Sequence, residues 1–223
     1  MLTNIISWNT FGAGIQKLSS CYSDILLPEM ANIILLQEAG AFEDYQYNNP
    51  IEITLGRFNF TGYFVKDNKA NVQRCTTGIL IQDGYFDNWE FGTKDTNQGR
   101  PVVAVYNPDT DYPVIATVHA IAEKHAAQRE VSYIINTAMK PCKKWFLMGD
   151  LNCTPQQLLE HNVVNPNNIS APYSMTHNSE TIIDYAIFSD DYCETKVGIA
   201  SNPKTENVPL ESDHFPIRAI IDI

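Results

Sequence analysis

The chain is short of positive charge, of paired cysteines and of long apolar runs, and each shortage excludes something. Lys and Arg number 15 against 26 Asp and Glu, a formal net charge of −11. So acidic a protein does not grip nucleic acid by bulk electrostatics, and any polyanion it handles needs a local basic groove or a metal ion. The five cysteines (Cys21, Cys75, Cys142, Cys153, Cys193) are widely spread, odd in number and without a CxxC pair. That pattern suggests neither a disulfide framework nor a zinc knuckle, and leaves thiols or one bridge open. No apolar stretch approaches the ~18 residues of a membrane span. Residues 1–8 lack the basic start and long apolar run of a secretion signal. Ser- or Gly-rich linkers, internal repeats and low-complexity tracts are missing too. The N-x-S/T matches at Asn59, Asn152 and Asn168 matter only in a eukaryotic secretory pathway and read as chance.

What is present is ordinary globular composition, 44% hydrophobic and 18% charged over 223 residues. The length suits a single domain, residues 1–223, around one sizeable core. Short apolar runs at 4–8, 33–36, 77–81, 102–106, 114–119, 145–148, 182–188 and 217–221 predict strands buried on at least one face. Amphipathic helices are predicted over 15–27 and 126–139, the second with Val131, Ile134, Ile135 and Ala138 at helical spacing, and a short one after Pro155. Residues 67–74 and 162–174 are polar, Asn-rich and predicted as surface loops. Many strands with few helices point to two packed sheets with helices outside.

Polar residues recur where these runs end. Asn9 follows the first, Gln37-Glu38 the second and His119 the run from 114; Gly149-Asp150-Leu151-Asn152 follows 145–148, Asp184-Tyr185 lies in 182–188, and Ser212-Asp213-His214 precedes the last. Loops leaving buried strand ends are where function collects, although any one of these residues alone reads as well as a satisfied turn or core group. Phosphodiester hydrolysis needs an activated water, countercharge for the phosphoryl oxygens and a proton for the leaving alkoxide, and carboxylate, amide and imidazole supply these. Glu38 with Asn9 offers hard oxygen donors, which suit Mg²⁺ or Ca²⁺ better than zinc. Arg74 and Arg100 each precede a strand, where a planar guanidinium can clamp phosphate; a surface ion pair is the plainer alternative for either.

Taken in order from Asn9 to His214, these segments resemble the endonuclease/exonuclease/phosphatase superfamily, which includes deoxyribonuclease I, abasic-site endonucleases, inositol polyphosphate phosphatases and neutral sphingomyelinases. Within it the chain is most similar to the B subunit of cytolethal distending toxins. The neighbouring residues that carry this are Gln37-Glu38-Ala39-Gly40, Gly99-Arg100-Pro101, Thr117-Val118-His119-Ala120-Ile121-Ala122, Thr176-His177, Asp184-Tyr185-Ala186 and Ser212-Asp213-His214-Phe215-Pro216. The resemblance implies a four-layered α/β/β/α sandwich of two mostly antiparallel sheets flanked by helices. It also implies a Mg²⁺-dependent endodeoxyribonuclease (Ca²⁺ or Mn²⁺ being alternatives) acting on DNA, the active subunit of a genotoxin with receptor-binding or delivery subunits as partners. A phosphoinositide phosphatase on the same scaffold is the alternative, which the scarcity of basic residues disfavours; a non-catalytic binding domain fits poorly with so complete a set of polar groups. By the same resemblance Asp184 orients His214, the base for the attacking water. Asp150 orients the nucleophile, Asn152 binds a phosphoryl oxygen, His119 protonates the leaving oxygen, Asp213 joins Glu38 and Asn9 in metal or water binding, and Arg74 and Arg100 contact the backbone. A secreted bacterial toxin acting in the host nucleus is implied, and the lack of a visible signal leaves a cytoplasmic protein open.

Departures are specific. The toxins usually carry an arginine where this chain has Cys153, which reads as a small packed residue, and segments 39–71 and beyond 190 match less well. His125, His161 and His177 read as surface or structural, with only His177 in a family-like context, and Trp89 and Trp145 read as core.

Overall fold

The structure is a computed structural model and describes residues 1–12, 18–19, 30–40, 49–66, 76–96, 100–123, 125–192 and 212–223. Arg74, Gly99, the predicted loop 67–74 and all but Leu18 and Ser19 of the predicted helix 15–27 lie outside the described residues. One sheet contains β1 (Leu2–Asn9), β2 (Ile33–Gln37), β3 (Ile51–Leu55), β4 (Phe58–Lys66), β5 (Thr76–Gln82) and β12 (Ile217–Asp222), in the order β12-β1-β2-β5-β4-β3. The other contains β6 (Glu90–Asp95), β7 (Pro101–Tyr106), β8 (Val114–Thr117), β9 (Trp145–Asp150), β10 (Ile169–Ser170) and β11 (Asp184–Phe188), in the order β10-β11-β9-β8-β7-β6. Neighbours pair antiparallel except β1 with β2 and β8 with β9, which are parallel.

The alternation of side chains along each strand sorts the apolar residues into layers. Ile33 and Leu35 of β2, Ile79 and Ile81 of β5, Phe146 and Met148 of β9, and Ala186 and Phe188 of β11 meet between the sheets. Their neighbours face outward. Ile34, Leu36 and Leu80 pack with Trp8 and Leu18 on one side, and Trp145, Leu147, Tyr185 and Ile187 on the other. Strands buried on both faces must read as continuous apolar runs, which is why these were legible. The second outer face is covered by α1 (Ala126–Ile134), which continues as a π-helical turn over Ile135–Met139, and by α2 (Pro155–Glu160). Val131, Ile134 and Leu158 supply the contacts. Thr154 caps α2 in a capping box with Gln157, and Pro155 occupies its first turn.

The α/β sandwich is the expected architecture, and each of the eight predicted runs falls on a strand. The sequence reading missed β3, β4, β6 and β10; the last lies in the predicted loop 162–174. β3 alternates exposed and buried residues, and β6 carries Glu90, Lys94 and Asp95 on a half-exposed edge, so neither shows a run. No helix among the described residues is long and apolar enough to cross a membrane.

Candidate active site

Parallel pairing aims the ends of β1 and β2 the same way, with Asn9 opposite Gln37. It does the same for β8 and β9, and just beyond β8 His119 bridges Asp150. β11 runs back along β9, so its first residue, Asp184, sits directly opposite Asp150. One edge of the sandwich therefore collects the polar strand ends. Across the two sheets Asn9 Nδ2 donates to Asp150 Oδ2 at 2.9 Å. Behind it, buried Gln37 Nε2 donates to Thr117 Oγ1 at 2.7 Å and Ser7 Oγ at 3.1 Å, a second polar tie between the sheets.

Asp150 is the hub. Its Oδ2 lies 3.4 Å from His119 Nε2 and 3.6 Å from His214 Nε2, and its Oδ1 accepts from the Asn152 backbone N–H at 3.0 Å. His214 Nδ1 meets both oxygens of Asp184, at 2.9 and 3.1 Å, which fixes the ring and leaves Nε2 toward Asp150. Trp8 Nε1 donates to the His214 carbonyl at 3.2 Å, and Ser212 Oγ accepts from the His214 N–H while donating to the Asn9 carbonyl. Thr176 Oγ1 accepts from the backbone N–H groups of Ile183 and Asp184. On the far side Arg100 Nη1 donates to His119 Nδ1 and, at 3.4 Å, to its carbonyl. His119 Nε2 is also 3.6 Å from Glu38 Oε1. Glu38 has φ of 48° and Asn152 of 49°, so both turn their strand ends through the left-handed region that side chains other than glycine rarely adopt.

Charge in this cluster is unbalanced. Burial, reinforced by the charge of Asp184, pushes the Asp150 carboxyl up to about 7, against the pull of His214 and the hydrogen bonds from Asn9 and Asn152. Asp184 is likewise raised by burial, which its hydrogen bond to His214 only partly offsets. For His214, burial alone lowers the pKa, but the Asp184 hydrogen bond and the charges of Asp184, Asp150 and Asp213 outweigh it and lift the imidazole to about 9. His119 is held well below its ordinary value by burial, then by Arg100 and by the charge on His214. It is therefore neutral, with Nδ1 accepting from Arg100 and its proton on Nε2.

Asn9, Glu38, His119, Asp150, Asp184 and His214 come together at this edge. Arg100 lies against His119, where the sequence reading gives it direct contact with phosphate, and Asn152 Nδ2 donates to the Ala120 carbonyl at 2.8 Å. Asp213 touches His177, at 3.2 Å, and His214, at 4.0 Å. Trp8, Gln37, Thr176, Ser212 and His177 stand beside or within the sequence motifs but were given no site role from sequence. All but His177 act through buried hydrogen bonds, which leave no periodic signal, and His177 reads as an ordinary surface histidine until the loop pairing is known. Cys153 is buried, as expected, with Sγ 3.7 Å from the Tyr185 hydroxyl and a thiol that burial pushes up to about 11.

The residues present fit a divalent cation. Carboxylate and amide oxygens of Glu38, Asp150 and Asn9 are hard donors, and the raised carboxyls of Asp150 and Asp184 mark buried negative charge that a cation would relieve. Asp150, Asp184 and His214 bring ligand atoms within 4.8 Å of one another.

No curated protein sequence matches the chain. Among solved structures, the cytolethal distending toxin of Actinobacillus actinomycetemcomitans superposes with a TM-score of 0.68 at 22% identity, covering 99% of this chain and 98% of that one. That of Haemophilus ducreyi gives 0.66 at 22% identity, with the same coverage. The human Nocturnin catalytic domain, solved with bound sulfate, gives 0.67 at 13% identity, covering 99% of this chain and 94% of its own. At these identities the likeness is one of fold. The sequence profile of the endonuclease/exonuclease/phosphatase family matches residues 6–214, a span that runs from the middle of β1 past β11 and holds every side chain of the cluster around Asp150, and the chain belongs to that family.

Proposed function

We propose that the chain is a Mg²⁺-dependent endodeoxyribonuclease that hydrolyses DNA phosphodiester bonds, the active component of a genotoxin of the cytolethal distending type. The observation that carries the reading is the placing of two imidazoles on either side of Asp150 Oδ2, one backed by Asp184 and the other by Arg100.

In this mechanism His214 Nε2 takes the proton of the attacking water, its ring held by Asp184. Asp150 and Asn9 orient the water, with Asp213 acting on it from beside His214. His119 protonates the leaving oxygen from Nε2 in its charged form, which requires the phosphate to draw Arg100 away from Nδ1 so that the ring is left neutral with its proton there. Asn152 contributes its amide to a phosphoryl oxygen. Glu38 and Asn9 hold the cation, with Asp213 the further candidate. When bound, the cation supplies countercharge to the phosphoryl oxygens and to the carboxylates that otherwise keep His214 protonated.

Plasmid nicking with and without Mg²⁺ is the test. Conversion of supercoiled to nicked circles that stops on chelation, and that falls roughly 10²- to 10⁴-fold in His214→Ala, supports the reading. Phosphate release from phosphoinositides with DNA left intact assigns the scaffold to phosphatase chemistry instead. Full nicking activity in His214→Ala overturns the mechanism.

A further inference from the structure

A second group of metal-capable side chains adjoins the first and differs from it in chemistry. The segment at Thr176–Thr181 is zipped onto the strand approach at 213–215: Asn178 N–H donates to the Asp213 carbonyl at 2.9 Å and Phe215 N–H to the Thr176 carbonyl at 2.8 Å. That pairing sets His177 across from His214 in an isolated antiparallel bridge, with their rings 4.6 Å apart and crossed at 67°. Asp213 lies with them. Its Oδ2 is 3.2 Å from His177 Nε2 and its Oδ1 4.0 Å from His214 Nε2. Ligand atoms of all three fall within 4.8 Å of one another.

Three observations go beyond proximity. Asp213 Oδ1 is shielded from solvent yet accepts no hydrogen bond from the described residues, which leaves a lone pair for an ion. His214 already has the arrangement typical of metal-binding imidazoles, Nδ1 on a carboxylate and Nε2 turned to the cluster. Ser179 fixes the His177 ring through Nδ1, which accepts from its backbone N–H at 3.0 Å and lies 2.6 Å from its Oγ, so Nε2 faces Asp213 and gives up its proton when an ion binds; the ring is 22% exposed, which leaves an entry path.

The geometry points to a site for a borderline-soft divalent ion, Zn²⁺ first, held by His177 Nε2, His214 Nε2 and Asp213 with one position open. Two imidazoles and a carboxylate are a common zinc set, whereas Mg²⁺ prefers oxygen donors throughout and takes Glu38 and Asn9. The consequence for activity rests on the proposed reaction: an ion on His214 Nε2 occupies the lone pair that would take the proton from water. Zn²⁺ is then an inhibitor that acts on the base, and Mg²⁺ relieves it poorly because an oxygen-seeking ion does not compete for the two imidazoles.

The test separates binding from activity. Metal-free protein is titrated with Zn²⁺ by calorimetry and with Co²⁺ by visible absorption, for the full chain, His177→Ala and His177→Gln, with thermal melts to verify folding. Mg²⁺-dependent nicking is then measured across a Zn²⁺ series. Expected are one Zn²⁺ per chain with visible Co²⁺ bands of a low-coordinate site, an affinity weakened roughly tenfold or more in both His177 variants, and Mg²⁺-dependent nicking that in these variants persists and resists Zn²⁺. Unchanged Zn²⁺ affinity and Co²⁺ spectrum in the folded variants would overturn the site. Equal Zn²⁺ inhibition of wild type and variants would overturn the regulatory role. If the protein fails to nick DNA at all, the proposed function fails while the two titrations still decide the site.

Discussion

Gly149 has a role that its neighbours in the Gly149-Asp150-Leu151-Asn152 motif conceal. A Cβ built on it falls 2.4 Å from the Val118 carbonyl oxygen, 3.1 Å from Thr117 Oγ1 and 3.2 Å from Val118 N. The closest obstacle is backbone, so it cannot swing aside. Restoring even 3.0 Å requires the end of β8 to retreat from β9 by about 0.6 Å, the difference 3.0 − 2.4. His119 follows Val118, and its Nε2 is 3.4 Å from Asp150 Oδ2; Thr117 Oγ1 anchors Gln37. Gly149→Ala thus opens the His119–Asp150 separation toward about 4 Å and strains the tie between the sheets.

Overpacking of this kind costs about 1–3 kcal/mol, and a misplacement approaching 1 Å costs on the order of 10- to 100-fold in rate. Urea unfolding measures the first and single-turnover nicking, under conditions where the variant is fully folded, the second. Gly92→Ala in β6 is the control, because there the added methyl meets only Tyr106 Cε1 at 3.4 Å. It should leave rate and stability within error, or slightly raise the latter by restricting the unfolded chain. If Gly149→Ala matches Gly92→Ala in both measurements, the close approach of β8 and β9 is not what sets the geometry of His119.

Other substitutions probe the cluster separately. Asp184→Asn keeps the shape of the side chain but offers an N–H to His214 Nδ1, which moves the imidazole proton to Nε2; nicking should fall roughly 10²- to 10⁴-fold with the melting temperature retained, and a smaller loss than tenfold contradicts the orienting role. Asp150→Asn should raise the stability of the metal-free protein while abolishing activity. The sign follows from the raised carboxyl: the folded state keeps a proton that the unfolded state releases above 3.8, so wild-type stability falls as pH climbs from there to about 7, and the variant escapes that loss. The proton linkage alone is on the order of 4 kcal/mol above neutral pH, and the lost attraction to His214 offsets part of it; urea curves in chelator read the balance, and a variant less stable than wild type there refutes the charge argument. The raised His214 adds to the trend, because its stabilising charge is complete below 6.5 and is lost as pH rises through about 9. Cys153, buried with its thiol raised to about 11, should resist iodoacetamide in the native protein at mildly alkaline pH and react only on unfolding, as mass spectrometry of the tryptic peptide would record.

The strands that could be read from sequence are those whose two faces are both covered, because burial on both sides erases alternation and leaves a bare apolar run, as at Ile33–Gln37 and Trp145–Asp150. β3, β6 and β10 each end a sheet, where one edge and part of a face meet solvent, so their sequences carry Glu52, Lys94 or Ser170 and look like loops. For the site, residue types and order were legible while pairing was not. That Asp184 faces Asp150 is a matter of register between segments 34 residues apart, 184 − 150, and a slip of one residue would send either carboxylate to the opposite face of the sheet. Arg100 shows the same limit: the Gly99-Arg100-Pro101 motif marks it as functional, but only the packing of β7 on β8 turns Nη1 to His119.

The register of β9 on β11 also separates function from folding. Its other rungs pair Gly149 with Tyr185, Met148 with Ala186, Leu147 with Ile187 and Phe146 with Phe188, all compatible with a dry interior. Only the last rung sets two carboxylates face to face, a pairing that destabilises a sheet unless something between them carries positive charge. Nearby, Glu38 and Asn152 hold left-handed backbone at a cost of order 1–3 kcal/mol each. A sandwich shaped by stability alone would continue the apolar ladder one rung further and relax both turns. Like charge and backbone strain thus meet beside the same rung, which is what the proposed cation site requires: a bound cation would offset the two carboxylates.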